Sequence, residues 1–187
     1  MRMLIMGPPG AGKGTQASVI AGRLGIPAIS TGDIFRASVT QGTPLGVQAK
    51  QYMDAGEYVP DEVTNDMVRD RLSQPDALDG FLLDGYPRTL AQVDFLDGVL
   101  AERGHALGRV LELTVDTEEV VARLLRRALD QGRTDDTEDV VRRRLEVYTE
   151  QTAPLLAVYR DRGLLVQVDG LGPIDQVTER ALEALGG

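Results

Sequence analysis

An apolar run, Met3-Leu4-Ile5-Met6, leads directly into Gly7-Pro8-Pro9-Gly10-Ala11-Gly12-Lys13-Gly14-Thr15. No other stretch narrows the possible folds as much. Gly7, Gly12 and Lys13 have the G-x-x-x-x-G-K spacing of a phosphate-binding loop, a strand-to-helix turn whose backbone N–H groups surround a polyphosphate. A Cβ in that turn would block the positive φ angles and the close approach of phosphate oxygens. A helix predicted over 13–24 aims its N-terminal partial charge and unpaired N–H groups at the same anion. The position after the lysine is Gly14, so the hydroxyl expected to face a Mg-nucleotide comes one residue later, at Thr15. A glycine-rich turn that binds nothing is the plain alternative. Strand, spacing, lysine, hydroxyl and helix together speak against it, and so does the scarcity of lysine, since only Lys13 and Lys50 are present.

Apolar runs at 3–6, 81–83, 110–115 and 164–168, with a shorter one at Ala28-Ile29, read as strands separated by helical patterns. Such alternation predicts parallel strands with right-handed crossovers and helices on both faces. Ligands of these sheets bind beyond the carboxyl ends of the strands, where Gly7, Gly32, Asp84 and Asp169 fall. The segment 31–60 departs from the alternation. Two short helices, 32–40 and 44–55, punctuated by Gly42, Pro44 and Gly56, predict a small helical insertion over the sheet edge. Further helices are predicted at 61–72, 89–103, 117–131, 137–160 and 173–185, their starts marked by Asp61, Thr89, Thr137 and Pro173.

A chain of 187 residues with 42% apolar content suits one core of ordinary size. Its formal charge of -9 argues against nonspecific binding to nucleic acid or acidic membranes, so an anionic ligand must be met by local arginine clusters. The absence of cysteine excludes disulfides and thiolate metal sites, and the first apolar run is too short for a signal peptide or a membrane span. A cytoplasmic monomer is the expectation.

Three more groups need an explanation: Ser30-Thr31-Gly32-Asp33-Ile34-Phe35-Arg36, Leu82-Leu83-Asp84-Gly85-Tyr86-Pro87-Arg88, and the arginines between Arg123 and Arg144. With the loop, and with Arg133-x-Asp135-Asp136 and Thr152-Ala153-Pro154-Leu155, they occur in the order and at the spacing of the adenylate kinases, which the sequence resembles from Met1 to Gly170. The resemblance implies an α/β fold with a P-loop NTPase core, a five-stranded parallel sheet with helices on both faces. It implies a single domain, 1–187, with core 1–29, 60–125 and 137–187, an NMP-binding insertion at 30–59 and a lid at 126–136. Only Ala128 to Gly132 separates Arg127 from Arg133, so the chain resembles the short-lid form, without a structural zinc.

The implied activity is reversible phosphoryl transfer from MgATP to AMP giving two ADP, with ATP, AMP and ADP as partners and Mg2+ as cofactor. By the same resemblance ATP meets Gly10, Ala11, Gly12, Lys13, Gly14, Thr15, Arg123, Arg127 and the backbone of Gly172. Mg2+ meets Asp84 through water, and Thr15. AMP meets Arg36 and Arg88 at its phosphate and Thr31 and Gln92 at its base, with the backbone of Glu57, Tyr58 and Val59 and the turn of Gly85, Tyr86 and Pro87 completing the pocket. Arg133 and Arg144 reach the phosphates between donor and acceptor. The catalytic set is thus Lys13, Arg88, Arg123, Arg127, Arg133 and Arg144. A UMP or CMP kinase and a non-catalytic nucleotide-binding switch are the alternatives.

Read without the resemblance, Asp84 ends an apolar strand where a carboxylate would hold Mg2+ or its waters, and the planar guanidinium of Arg88 suits bidentate contact with phosphate. Arg123 and Arg127 share a helical face and Arg126 lies off it. Arg142 and Arg143 read as a solvated face paired with Glu138, Asp139 or Glu146. Asp33 orients an arginine or caps a helix, Met53 packs between helices in preference to walling a pocket, and His105 is solvated.

Overall fold

The computed structural model describes residues 1–116, 119–124 and 137–186. Five strands, β1 (Arg2–Met6), β2 (Ala28–Ser30), β3 (Phe81–Asp84), β4 (Arg109–Thr114) and β5 (Leu165–Asp169), form one sheet in the order β2-β3-β1-β4-β5. Every pairing is parallel, with Leu4 opposite Leu83 and Val110 on its two sides. Parallel strands are buried on both faces and therefore read as unbroken apolar runs, as β1 and β3 do.

Successive side chains of a strand point to opposite faces, and the core divides accordingly. Leu4, Met6, Leu83 and Val110 pack with α4 (Asp61–Leu72), α5 (Leu90–Ala101) and α8 (Leu155–Asp161). Met3, Ile5, Leu82 and Leu111 pack with α1 (Lys13–Leu24) and α9 (Ile174–Gly186). Each fully buried Leu or Ile contributes about 1.5–3 kcal/mol of transfer free energy, which holds the loop-bearing strand at the centre of the sheet.

Helices α2 (Thr31–Gln41) and α3 (Pro44–Asp54) leave the carboxyl end of β2. Ser30 Oγ accepts from the Asp33 N–H and Thr43 Oγ1 from the Gly46 N–H, so each helix starts on a hydroxyl cap. The pair packs closely enough that a Cβ on Gly46 would lie 2.1 Å from the Ser38 carbonyl oxygen. Phe35, Ala49 and Val59 form a separate small cluster beneath them, with Met53 packed against it.

Residues 119–124 are helical (α6), within the predicted 117–131 helix. The predicted helix 137–160 is instead three pieces: α7 (Glu138–Val147), a π-helical turn at Tyr148–Thr152, and α8. Pro154 is the cause. It has no N–H, and its ring crowds the carbonyl four residues back. The Ala153 N–H accordingly reaches five residues back, to the Tyr148 oxygen at 2.8 Å. Thr89 caps α5 as expected, accepting from the Gln92 N–H, whereas Pro60 takes the cap position of α4 and frees the Asp61 side chain for another role. Among the described residues no helix is long and apolar enough to cross a membrane.

Candidate active site

The carboxyl ends of β1, β2 and β3 open into one cleft of about 660 Å³. On one side lies the loop between β1 and α1. Gly7, Gly10 and Gly12 take positive φ angles, and a Cβ on Gly10 would come within 2.9 Å of both the Leu124 side chain and the Val120 oxygen, so α6 packs against the bare backbone. Lys13 folds over the loop and donates to the Gly7 and Pro8 carbonyls at 2.8 and 2.9 Å. Thr15 is exposed on the first turn of α1. The next residue, Gln16, is buried and ties α1 to α9, donating to the Ile174 oxygen and accepting from Thr178.

Asp84 ends β3 beside the loop, with Oδ2 3.6 Å from the place a Cβ would take on Gly14. Burial pushes its carboxyl above the usual carboxylate range, against the opposing pull of Lys13 and then Arg88. Among the described residues no group of three or more His, Cys, Asp or Glu could hold a metal ion by itself. A cation here would take most of its oxygens from water and a phosphorylated ligand, and a lone carboxylate, with Thr15 lining the same cleft, fits Mg2+, which keeps several waters.

The other side of the cleft is built on the turn after β3. Gly85 has φ +81°, and a Cβ there would lie 2.8 Å from Thr31 Oγ1 and 2.9 Å from an Arg88 guanidinium nitrogen. The Gly85 carbonyl accepts from both side chains, Thr31 Oγ1 at 3.0 Å and Arg88 Nε at 2.6 Å. Tyr86, joined to Pro87 by a cis peptide, is buried, and its hydroxyl donates to Asn65 Oδ1 at 2.6 Å. Burial holds that phenol in its neutral form by raising its pKa. Arg36 reaches the cleft from α2, gripped by Asp33.

Gln92 is fixed at both ends. Its Oε1 accepts from the Arg88 backbone N–H at 2.7 Å, and its Nε2 donates to Asp61 Oδ1 at 2.6 Å. Asp61 Oδ2 in turn accepts from Thr89 Oγ1 at 2.9 Å. A backbone N–H can only donate and a carboxylate can only accept, so the amide has one admissible orientation.

Lys13, Thr15, Arg123 and Arg144 therefore line the same cleft as Thr31, Arg36, Glu57, Tyr58, Val59, Gly85, Tyr86, Pro87, Arg88 and Gln92. Gly10, Gly12 and Gly14 also line it, while Ala11, between them in the loop, is buried and outside the lining. Arg123 is held by Glu119 at 2.8 Å and donates to the Gly170 oxygen at 3.3 Å. Gly172, in the turn after β5, lies outside the lining; Arg180 braces that turn by donating to the Leu171 carbonyl and to Asp169. The expectations for Arg126, Arg127 and Arg133 fall outside the described residues.

Asp33 orients Arg36 while Ser30 does the capping, Met53 both packs against the Phe35 cluster and lines the cleft, and His105 is exposed. Arg142 pairs with Glu138 as expected. Arg143 pairs with Glu146 but also crosses to Glu57 at 2.6 Å, a contact between α7 and the end of the α2–α3 segment that sequence did not indicate. The roles of Asp61, Gln16, Arg180 and Asn65 were likewise missed. Only Asp61 carried a signal, and that signal read as a helix start.

A family model described as adenylate kinase matches residues 5–164. A protein named adenylate kinase from Nocardioides sp. is 66% identical over 185 residues, covering 99% of this chain and 97% of its own. Proteins of the same name from Kocuria rhizophila, 66% identical with 98% of each chain covered, and Thermobifida fusca, 59% identical with 99% and 98% covered, are similar over the same extent. The matched span begins in β1 and takes in the loop, both walls of the cleft and the π-helical turn behind them, and the chain belongs to the adenylate kinase family.

Proposed function

We propose that the loop side of the cleft binds MgATP, that the side built from α2, α3 and the Gly85–Arg88 turn binds AMP, and that the γ-phosphoryl group passes reversibly between them to give two ADP. The observation that carries this reading is the meeting of two phosphate-seeking sets, Lys13 with Arg123 and Arg36 with Arg88, in one cleft with Asp84 beside the loop. A protein that only bound ATP would have no use for the second set.

In the forward direction an oxygen of the AMP phosphate forms a bond to the γ-phosphorus while the bond to the β,γ-bridging oxygen breaks, and ADP leaves with that electron pair. The acceptor is already an anion, so no strong general base is required. Catalysis comes from in-line placement and from charge neutralisation by Lys13, Arg88, Arg123 and Arg144, joined in this proposal by Arg127 and Arg133. Mg2+ bound with ATP would neutralise phosphate charge, held by Thr15 and, through water, by Asp84. Residues 30–59 act as the acceptor-binding insertion and 126–136 as a short lid that excludes water. The protein works as a cytoplasmic monomer.

Base selection falls to the fixed Gln92 amide. With one site at each end occupied, it offers a ligand one N–H from Nε2 and one lone pair on Oε1. That pair complements a ring nitrogen beside an exocyclic amino group, the edge of adenine, and opposes the 6-oxo edge of guanine or hypoxanthine. Cytosine presents a similar edge but is one ring smaller. The test is a coupled assay of ATP with AMP, GMP, CMP and UMP in turn. AMP is expected to give the highest kcat/KM, and equal values for AMP and CMP would defeat the adenine assignment.

A further inference from the structure

Thr152-Ala153-Pro154-Leu155 stands out in the sequence, yet none of its residues has a part in the transfer described above. Its first member is 6% exposed and belongs to the π-helical turn that Pro154 imposes. In that turn Thr152 Oγ1 donates to the backbone carbonyl of Arg88 at 2.9 Å. The same oxygen lies 2.7 Å from the Tyr58 hydroxyl. A threonine hydroxyl has a single hydrogen, and here the Arg88 carbonyl takes it. Tyr58 must therefore be the donor to Thr152. The ring of Tyr58 meanwhile lies under the Arg88 guanidinium, with Cζ 4.8 Å from its centroid.

Tyr58 thus holds Arg88 twice, its ring beneath the guanidinium carbon and its hydroxyl, through Thr152, against the carbonyl. Arg88 Nε is fixed separately on the Gly85 oxygen, which sets the direction of the guanidinium edge. Attraction to an aromatic face restrains a guanidinium without supplying an oxygen acceptor, so this contact does not compete with a phosphate for the N–H groups that bidentate binding uses.

We propose that Tyr58 and Thr152 are positioning residues that fix the Arg88 guanidinium, ready for the acceptor phosphate, before AMP arrives. The inference rests on the assignment of Arg88 to that phosphate.

Calorimetric titration with AMP, and separately with ATP, tests it on Tyr58→Leu, Tyr58→Phe, Thr152→Val and Thr152→Ser, with melting curves to establish that each variant is folded. Removing the ring should weaken AMP binding about threefold to tenfold and leave ATP binding unchanged. Tyr58→Phe and Thr152→Val, which keep the ring and break the relay, should each lose about twofold to threefold, and Thr152→Ser should restore the parent value. Turnover should follow, with KM for AMP raised more than kcat is lowered. In an Arg88→Ala background Tyr58→Leu should have no further effect on AMP, because the group it positions is gone. A merely structural role would weaken AMP binding equally in both backgrounds. That result, or parent-like AMP affinity in folded Tyr58→Leu, would overturn the proposal. Unchanged AMP affinity in Arg88→Ala alone would overturn the acceptor assignment, and the proposal with it.

Discussion

Substituting Asp61 by Asn should loosen the choice between a 6-amino and a 6-oxo purine without touching the nucleotide. In the parent, turning the Gln92 amide over to suit hypoxanthine would set Oε1 against the Asp61 carboxylate and Nε2 against the Arg88 N–H, where hydrogen bonds of 2.6 and 2.7 Å now stand. The bond to the carboxylate is charge-assisted, about 1.5–3 kcal/mol, and the other is neutral, about 1 kcal/mol. Losing both costs about 2.5–4 kcal/mol, a discrimination of about seventyfold to a thousandfold between AMP and IMP. An asparagine at 61 can rotate and donate to the turned Oε1, leaving only the Arg88 N–H to oppose the flip. The ratio should then fall to about fivefold. Initial rates of ADP formation at saturating MgATP, with AMP or IMP varied, give the two kcat/KM values for parent and Asp61→Asn. A folded Asp61→Asn that kept the parent's ratio would show that the lock on Gln92 does not choose the base.

Lys13→Met should leave the melting temperature within a few degrees of the parent and lower turnover by about a hundredfold to a thousandfold, because a preorganised charge on the transferring group is lost; the coupled assay and a melting curve check both. Asp84 holds its proton to higher pH in the folded protein than in the unfolded chain. Folded protein therefore binds more protons across that interval, and its stability falls as pH rises from the usual carboxylate range through the raised value. Asp84→Asn should abolish this slope in melting curves taken against pH, melt no lower than the parent at neutral pH, and need more Mg2+ for half-maximal turnover. Gly46→Ala should force α2 from α3, destabilise the protein by about 1–3 kcal/mol and raise KM for AMP with KM for ATP unchanged, as thermal melting and steady-state kinetics would show.

The strands were legible because a parallel strand buried on both faces leaves an unbroken apolar run, and the loop because its glycines and lysine have no common alternative use. Asp84 could be placed beside the loop, and Arg88 in the turn that follows it, since both come after an apolar strand at its carboxyl end. The break at Tyr148–Thr152 was also written in the sequence, at Pro154, but helical periodicity on either side of the proline masked it. Asp61 could not be read, because the sequence marks it as a helix start and only the tertiary fold brings Thr89 and Gln92 to it. Tyr58 was expected to give its backbone to the pocket; that its ring lies under Arg88 depends on a partner roughly 30 residues away and on a second, Thr152, farther still, beyond any local pattern.

The strand order also governs how the protein is made. β1 carries the phosphate loop and leaves the ribosome first, yet its neighbours in the sheet are β3 and β4, and Arg2 must wait for Phe81 and Met3 for Arg109. At a synthesis rate of about 5–20 residues per second, the loop-bearing strand stays without either partner for roughly 4–16 seconds. Over that time its apolar side chains have no sheet to enter, and the loop has no frame to hold its N–H groups toward an anion. Nucleotide cannot stabilise the nascent chain early, since the half of the sheet that shapes its site has not been translated. By the same nonlocal pairing, closure of the central three strands is expected to be the slow step of refolding from denaturant, with binding of a fluorescent nucleotide regained only after it in stopped-flow refolding.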